Sequence, residues 1–311
     1  LGATGVATAF VSGFEELLVL RFLQGMAFAG TGPLTIIVIG DLYTDARGSS
    51  AQGLRSSVNG VANSIAPAVA GLLAGITWRY PFLLFGLAFP AVGLLLLYLP
   101  ETHAAAEESS TAGFSQELYE YWRAFKAEAG NIDFAVMATG GFILFTAKAV
   151  IKTFVPLFAV AVLGVSVFRA GLLLTLYGVI RVISSPFAGS AVALLGRKRT
   201  LVFGMGAIVV GIGLLAISPD LYTVGLFVVI YTLGEAFFDP VLNDTIAQYA
   251  STSQRGGLLS GLNALKNLAA AVAPAVFGLV IALVGFRNMF VIAAIVPVLY
   301  VALVVSVLSL E

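Results

Sequence analysis

A hexapeptide that occurs twice constrains this chain more than any other feature. Ala66-Pro67-Ala68-Val69-Ala70-Gly71 returns as Ala273-Pro274-Ala275-Val276-Phe277-Gly278, changed at one position and displaced by 207 residues. Its surroundings return with it. Arg47-Gly48 is matched by Arg255-Gly256, Gly25-Met26-Ala27-Phe28 by Gly234-Glu235-Ala236-Phe237, and Trp78-Arg79-Tyr80-Pro81-Phe82 by Phe286-Arg287-Asn288-Met289-Phe290. These offsets all lie between 207 and 209. Self-similarity at one fixed offset means two copies of one unit, so the fold has to divide in two.

The copies belong in lipid. Residues are 59% hydrophobic and 10% charged, whereas a soluble domain carries about 25% charge. A chain this apolar is placed in a membrane. Sixteen basic residues balance sixteen acidic ones, leaving no electrostatic case for nucleic acid. There is no Cys, and the one His, His103, falls in a polar loop, so neither a metal nor another cofactor is expected.

Residues 1–11 are apolar but shorter than the roughly 20 residues that cross a bilayer. The second copy begins near Ile132, so the repeat puts the start of the first about 75 residues ahead of Leu1. About two helices and the front of a third are expected there. Full spans are read at 17–39, 54–76 and 81–99, then at 132–163, 170–194, 200–217, 222–249, 258–284 and 289–310. The expected fold is an all-α integral membrane protein of two six-helix parallel repeats, the first incomplete: about nine full spans plus a partial one. It divides into a partial N-terminal bundle (1–99), a linker (100–131) and a C-terminal six-helix bundle (132–311).

The linker carries Glu101, Glu107, Glu108, Glu117, Glu120 and Glu128. Phe114, Leu118, Tyr121, Trp122 and Phe125 share one helical face within it, which reads either as a helix on the membrane surface or as a solvated connection. Placing the linker inside puts eight loop Lys and Arg on its side (Arg47, Arg55, Arg123, Lys126, Arg197, Lys198, Arg199 and Arg255) against Arg79, Arg169 and Arg287 opposite. That excess makes the linker side cytoplasmic. The plasma membrane is the expected location.

Several motifs now resemble one family. Gly189 followed by Gly196-Arg197-Lys198 is similar to the signature loop Gly-x-x-x-Asp-Arg-x-Gly-Arg-Lys of the major facilitator superfamily, with Ala193 and Leu194 replacing its Asp and Arg. Arg21-Phe22-Leu23-Gln24-Gly25 resembles that family's fourth-helix Arg motif, and Pro100-Glu101-Thr102 its usual end of helix six. Gly53, Ala62, Ala66, Pro67, Ala70 and Gly71 occupy the positions of Gly-x8-Gly-x3-Gly-Pro-x2-Gly-Gly, associated with proton-coupled efflux antiporters. Three of its Gly are Ala here. Small residues at this spacing also serve ordinary close packing.

Within the spans stand Arg21, Lys148, Lys152, Arg181, Lys266, Glu235 and Asp239. Each costs at least about 2.5–3.5 kcal/mol at the bilayer centre, so each is expected to face protein or a watery cavity. Lys148 and Lys152 share a helix face, as do Glu235 and Asp239, Asn59 and Asn63, and Asn263, Lys266 and Asn267. The repeat aligns Asn59 with Lys266. One reading makes these residues a substrate and proton pathway, with Lys148, Lys152, Glu235 and Asp239 as one coupled group. The plainer reading is charge neutralisation and interhelical hydrogen bonding. Arg21 reads equally as a brace between helices. Asp244 is expected to pair with the Arg197–Arg199 loop as a conformational latch.

The resemblance implies a secondary transporter that works by alternating access as a monomer. No Gly-x-x-x-x-Gly-Lys-Ser/Thr motif is present, which points to an ion gradient as the drive. Its partners would be a small-molecule substrate, protons or another coupling ion, and the lipid bilayer. Proton-coupled efflux is the first reading. The alternatives are organic-anion uptake or exchange, and a non-transporting receptor or scaffold of the same fold. No residue set offers enzyme chemistry.

Overall fold

The computed structural model describes residues 1–99, 132–249 and 255–307, and every regular element among them is helical. The surface helix read in the linker, Pro100-Glu101-Thr102 and His103 lie outside the described residues. The described residues form two compact units, one from 1–99 with Ser166–Leu172, the other from 132–165 and 173–307.

In the first unit, α1 (Gly2–Ala7) and a 3-10 turn at Thr8–Phe10 precede α2 (Phe14–Leu42) and α3 (Asp45–Ile76). Then α4 (Tyr80–Leu83) passes through a 3-10 turn at Leu84–Leu87 into α5 (Ala88–Tyr98). α2 starts where it does because Glu16 folds back. Its carboxylate accepts the N–H groups of Ser12 at 3.0 Å and Gly13 at 3.4 Å, and it complements the positive helix end. α3 begins well before the apolar run at 54, since the hydrogen-bond ladder continues into the polar stretch after Thr44. The segment Ser166–Leu172 lies close on α3. A Cβ at Gly171 would come within 2.6 Å of the Pro67 carbonyl oxygen, and one at Gly71 within 3.1 Å of that of Val167. Only small residues permit such an approach.

The second unit holds α6 (Ile132–Ala161), α7 (Val167–Ser184), α8 (Ala188–Leu195), α9 (Arg197–Leu215), α10 (Leu221–Tyr249) and α11 (Arg255–Val307). α7 belongs to it from residue 173 onward. The single span expected at 170–194 is interrupted: Pro186 sits in a 3-10 turn, Ser185–Phe187, between α7 and α8. Gly196 joins α8 to α9 at φ +80°, a conformation that favours glycine. Gly285, at φ +78°, breaks α11 into 255–284 and 286–307. Eight helical stretches are long and apolar enough to cross a membrane, and the break at Gly285 divides the last in two. The described residues therefore carry nine candidate spans, by length and composition.

Glycines also set how tightly this unit packs. A Cβ at Gly211 would meet the main chain of Tyr231 at 2.7 Å, and one at Gly234 would overlap the Gly204 carbonyl oxygen. α9 and α10 therefore touch backbone to backbone, which maximises dispersion contact where lipid supplies no hydrophobic drive. Beyond the end of α9, Arg287 donates to the carbonyls of Ala216 at 2.8 Å and Ser218 at 3.1 Å. These carbonyls follow a helix end, where no further turn supplies a donor.

Candidate substrate and proton pathway

Three helices of the second unit converge on two carboxylates. α10 presents Glu235 and, one turn on, Asp239; α6 brings Lys148; α7 brings Tyr177 and Arg181. Glu235 is 0% exposed. Its Oε1 lies 3.1 Å from Lys148 Nζ and 3.0 Å from Arg181 Nε, and it accepts the Tyr177 hydroxyl at 2.8 Å. Tyr177 is also 2.9 Å from Oε2, so its single proton can serve either oxygen. Asp239 shares the same cations: Oδ2 is 3.4 Å from Lys148 and 3.2 Å from Arg181.

On the other side of Asp239, Oδ1 accepts from Asn243 Nδ2 at 3.0 Å and lies 3.7 Å from Lys266 Nζ. Lys266, 2% exposed, donates to Asn243 Oδ1 at 2.6 Å. Gly141 makes room for it, since a Cβ there would sit 3.0 Å from Lys266 Cε. The face of the Phe145 ring completes the surroundings, 4.3 Å from Lys148 Nζ and 5.3 Å from Lys266 Nζ. Each ion is thus compensated by opposite charge and by hydrogen bonds, the condition under which buried charge is tolerated. Three cations meet two carboxylates.

The expected group of Lys148, Lys152, Glu235 and Asp239 is therefore only partly assembled. Arg181 and Lys266 join Lys148 in pairing the carboxylates. Lys152 forms no ion pair with a carboxylate among the described residues; its Nζ lies 5.2 Å from the centre of the Tyr177 ring. Tyr177 takes the place on Glu235 that the sequence pattern gives to Lys152. Uncharged members escape a search of the sequence for charge, although spacing marks them: Tyr177 is four residues before Arg181, Asn243 four after Asp239 and Phe145 three before Lys148.

The remaining candidates form no ion pair with these two carboxylates among the described residues. Asn263 and Asn267 are exposed while Lys266 between them turns inward. Asn59 and Asn63 belong to the first unit, where Asn63 donates to the Asn59 carbonyl at 2.8 Å. In that unit Arg21 donates to Gln24 at 2.9 Å and stacks 4.8 Å from the Phe82 ring centre, a brace between α2 and α4. A Cβ added at Gly25, Gly53 or Gly189 would meet nothing within 4 Å among the described residues. Arg197 meets Asp244 at 2.8 Å, with the Asp side chain largely exposed. Lys198 stands beside Arg197 in the first turn of α9.

Known proteins are similar to this chain over most of its length. The curated relatives include the Multidrug transporter protein MdtP of Bacillus subtilis (strain 168), 21% identical over 86% of this chain. Another is the class G Tetracycline resistance protein of Vibrio anguillarum, 28% identical over 83% of it. The chain spans 58% and 65% of their respective lengths. Among solved structures, an inward-facing, occupied bacterial homolog of the human lysosomal transporter Spinster shares its fold. That structure matches with a TM-score of 0.75 at 16% identity, over 98% of this chain and 79% of its own. A mutant of the nucleoside transporter NupG does so with a TM-score of 0.75 at 15% identity, over 98% and 81%. The sequence pattern of one family matches residues 1–146 and again residues 137–311, one match for each copy of the repeat. This multi-spanning membrane protein belongs to the Major Facilitator Superfamily.

Proposed function

We propose that the protein exports a small organic compound in exchange for protons, by alternating access in the plasma membrane, as a monomer with its linker on the cytoplasmic side. The observation that carries this reading is Glu235, a fully buried carboxylate held by Lys148, Arg181 and Tyr177. With both cations in contact, its negative charge is compensated. When rocking of the helices draws the cations away, a buried carboxyl avoids the cost of an unpaired charge by binding a proton. Return of the cations expels that proton. Asp239 holds the same cations meanwhile, so they need not travel far. The names of the relatives, multidrug transport and tetracycline resistance, favour export as the direction.

The test uses the protein in inverted membrane vesicles with tetracycline or 2-naphthoate as probe. The parent should concentrate a probe when a pH gradient is imposed. Glu235→Gln, which keeps the shape and loses the ionisable group, should abolish uphill accumulation and retain exchange of labelled for unlabelled probe. Uphill accumulation by Glu235→Gln at the parent's rate would assign proton coupling to another residue.

A further inference from the structure

The two signs of charge in the cluster are not equally accessible. Both carboxylates are withdrawn: Glu235 is fully buried and the Asp239 side chain is 12% exposed. Lys266 and Lys148 are also withdrawn, with side chains 2% and 12% exposed. Accessible surface belongs to Arg181, at 40%, and to Lys152, which is exposed. Tyr177 is near both. Arg181 lies one helical turn from Tyr177 on α7, and Lys152 Nζ lies over the Tyr177 ring itself. A solute that approaches the cluster therefore meets positive charge first.

The pairing pattern points the same way. Lys148, Arg181 and Lys266 already exceed Glu235 and Asp239 by one positive charge, and Lys152 adds another without a carboxylate partner among the described residues. Inside a membrane an uncompensated cation is costly. Tyr177 offers Lys152 only the quadrupole of its ring, worth about 0.5–2 kcal/mol. The hydroxyl of Tyr177 is committed to Glu235, which fixes the far end of the ring. Lys152 is thus held at the accessible edge of the cluster, its donors unused by any acceptor among the described residues.

We infer that Lys152 and Arg181 form the receiving edge for an anionic group of the transported compound, a carboxylate or a phosphate monoester on an organic body. This rests on the transporter reading above, and it narrows the substrate to organic anions. Lys152 supplies a point charge with three donors, while Arg181, clamped by Glu235 and Asp239, supplies the free edge of its guanidinium. The bound anion reduces the excess of two positive charges, by one for a carboxylate and by up to about two for a phosphate monoester. Neutral and cationic compounds gain nothing at this edge.

Binding to the purified full chain in detergent tests the inference without any gradient, so it separates from the question of proton coupling. The probes are 2-naphthoate, 2-naphthyl phosphate and the neutral 2-naphthamide, followed by the rise in unfolding temperature with probe concentration. One or both anions should stabilise the parent saturably, the stronger of them identifying the headgroup, and the amide should not. Lys152→Gln should weaken anion binding about tenfold or more, the loss of one charge-assisted hydrogen bond, and Lys152→Arg should restore most of it. Lys152 is exposed, so neither variant opens the core, and the unfolding temperature of each variant without probe serves as its own baseline. Equal stabilisation by the amide, no stabilisation by either anion, or anion binding indifferent to Lys152→Gln would each overturn the inference. Anion binding that depends on Lys152, together with failure of a pH gradient to drive accumulation, would uphold it while removing proton coupling.

Discussion

Arg79 and Arg287 hold corresponding points of the two copies. Arg79 donates to the Val11 carbonyl at 3.3 Å, and Arg287 to that of Ser218 at 3.1 Å. The arginines are 208 residues apart and the carbonyls 207, so the repeat extends from sequence to an individual hydrogen bond. In both copies the acceptor closes the segment ahead of a long helix, α2 or α10. Arg287→Ala should cost about 1–3 kcal/mol, since the carbonyls of Ala216 and Ser218 are left without its donors. Arg287→Lys should recover only part, because an ammonium cannot present the same planar fork. Thermal unfolding in detergent measures both.

Gly204 and Gly206 are two residues apart on α9 and should respond in opposite ways to alanine. A Cβ at Gly204 would lie 3.0 Å from both the Gly234 carbonyl oxygen and Phe238 Cβ, whereas Gly206 has open space. Gly204→Ala should lower the unfolding temperature. Gly206→Ala should leave it unchanged or raise stability by up to about 1 kcal/mol, the intrinsic helix advantage of alanine. Equal losses would mean that α9 and α10 are not in backbone contact.

Asp239 and Lys266 should be energetically coupled. Asp239→Asn leaves Lys266 with Asn243 and the Phe145 ring, and breaking a buried pair costs about 3–5 kcal/mol. Lys266→Met removes the stranded ammonium. The double variant should be more stable than the sum of the single losses implies, and a double-mutant cycle of unfolding free energies gives the difference.

The Arg197–Asp244 pair should matter little to stability. It is an exposed pair at 2.8 Å, and such pairs contribute about 0–1 kcal/mol. Asp244→Asn should therefore unfold within that range of the parent. If the pair biases one conformation, the same variant transports at a changed rate; parental rates would dismiss the latch.

Asp220, outside the spans, should govern local opening at the start of α10. The N–H groups of Thr223 and Tyr222, each donating to its carboxylate at 2.9 Å, hold its pKa below the ordinary value of 3.8. The sign follows from the lowered pKa: the contribution is fully present above pH 3.8 and fades as pH falls through the lowered value. Amide exchange at Tyr222 and Thr223, corrected for intrinsic rate, should accelerate only in that acid range. Asp220→Ala should show the faster exchange at every pH.

Much of the fold was legible because lipid leaves few options. An apolar run of about 20 residues must satisfy its own backbone, and the repeat at 207 then counts the runs. Helix ends were less legible, as at Asp45, because hydropathy marks the hydrocarbon and hydrogen bonding marks the helix. The site was half legible. Glu235, Asp239, Lys148, Arg181 and Lys266 were marked by their charge alone, but which cation meets which carboxylate depends on helix rotation. Tyr177 shows why: one uncharged hydroxyl, invisible to a search for charges, displaces Lys152 from Glu235.

The excess of cations over carboxylates also makes the cluster sensitive to voltage. Moving one elementary charge through a potential of 100 mV is worth about 2.3 kcal/mol, and in the proposed alternating-access cycle rocking helices would carry their charges through some fraction of that field. A potential negative inside pulls Lys148, Arg181 and Lys266 toward the cytoplasm more strongly than it pushes Glu235 and Asp239 away. In that cycle the electrical state of the membrane would enter the conformational equilibrium directly. A transport cycle built on this cluster is electrically loaded even before substrate arrives.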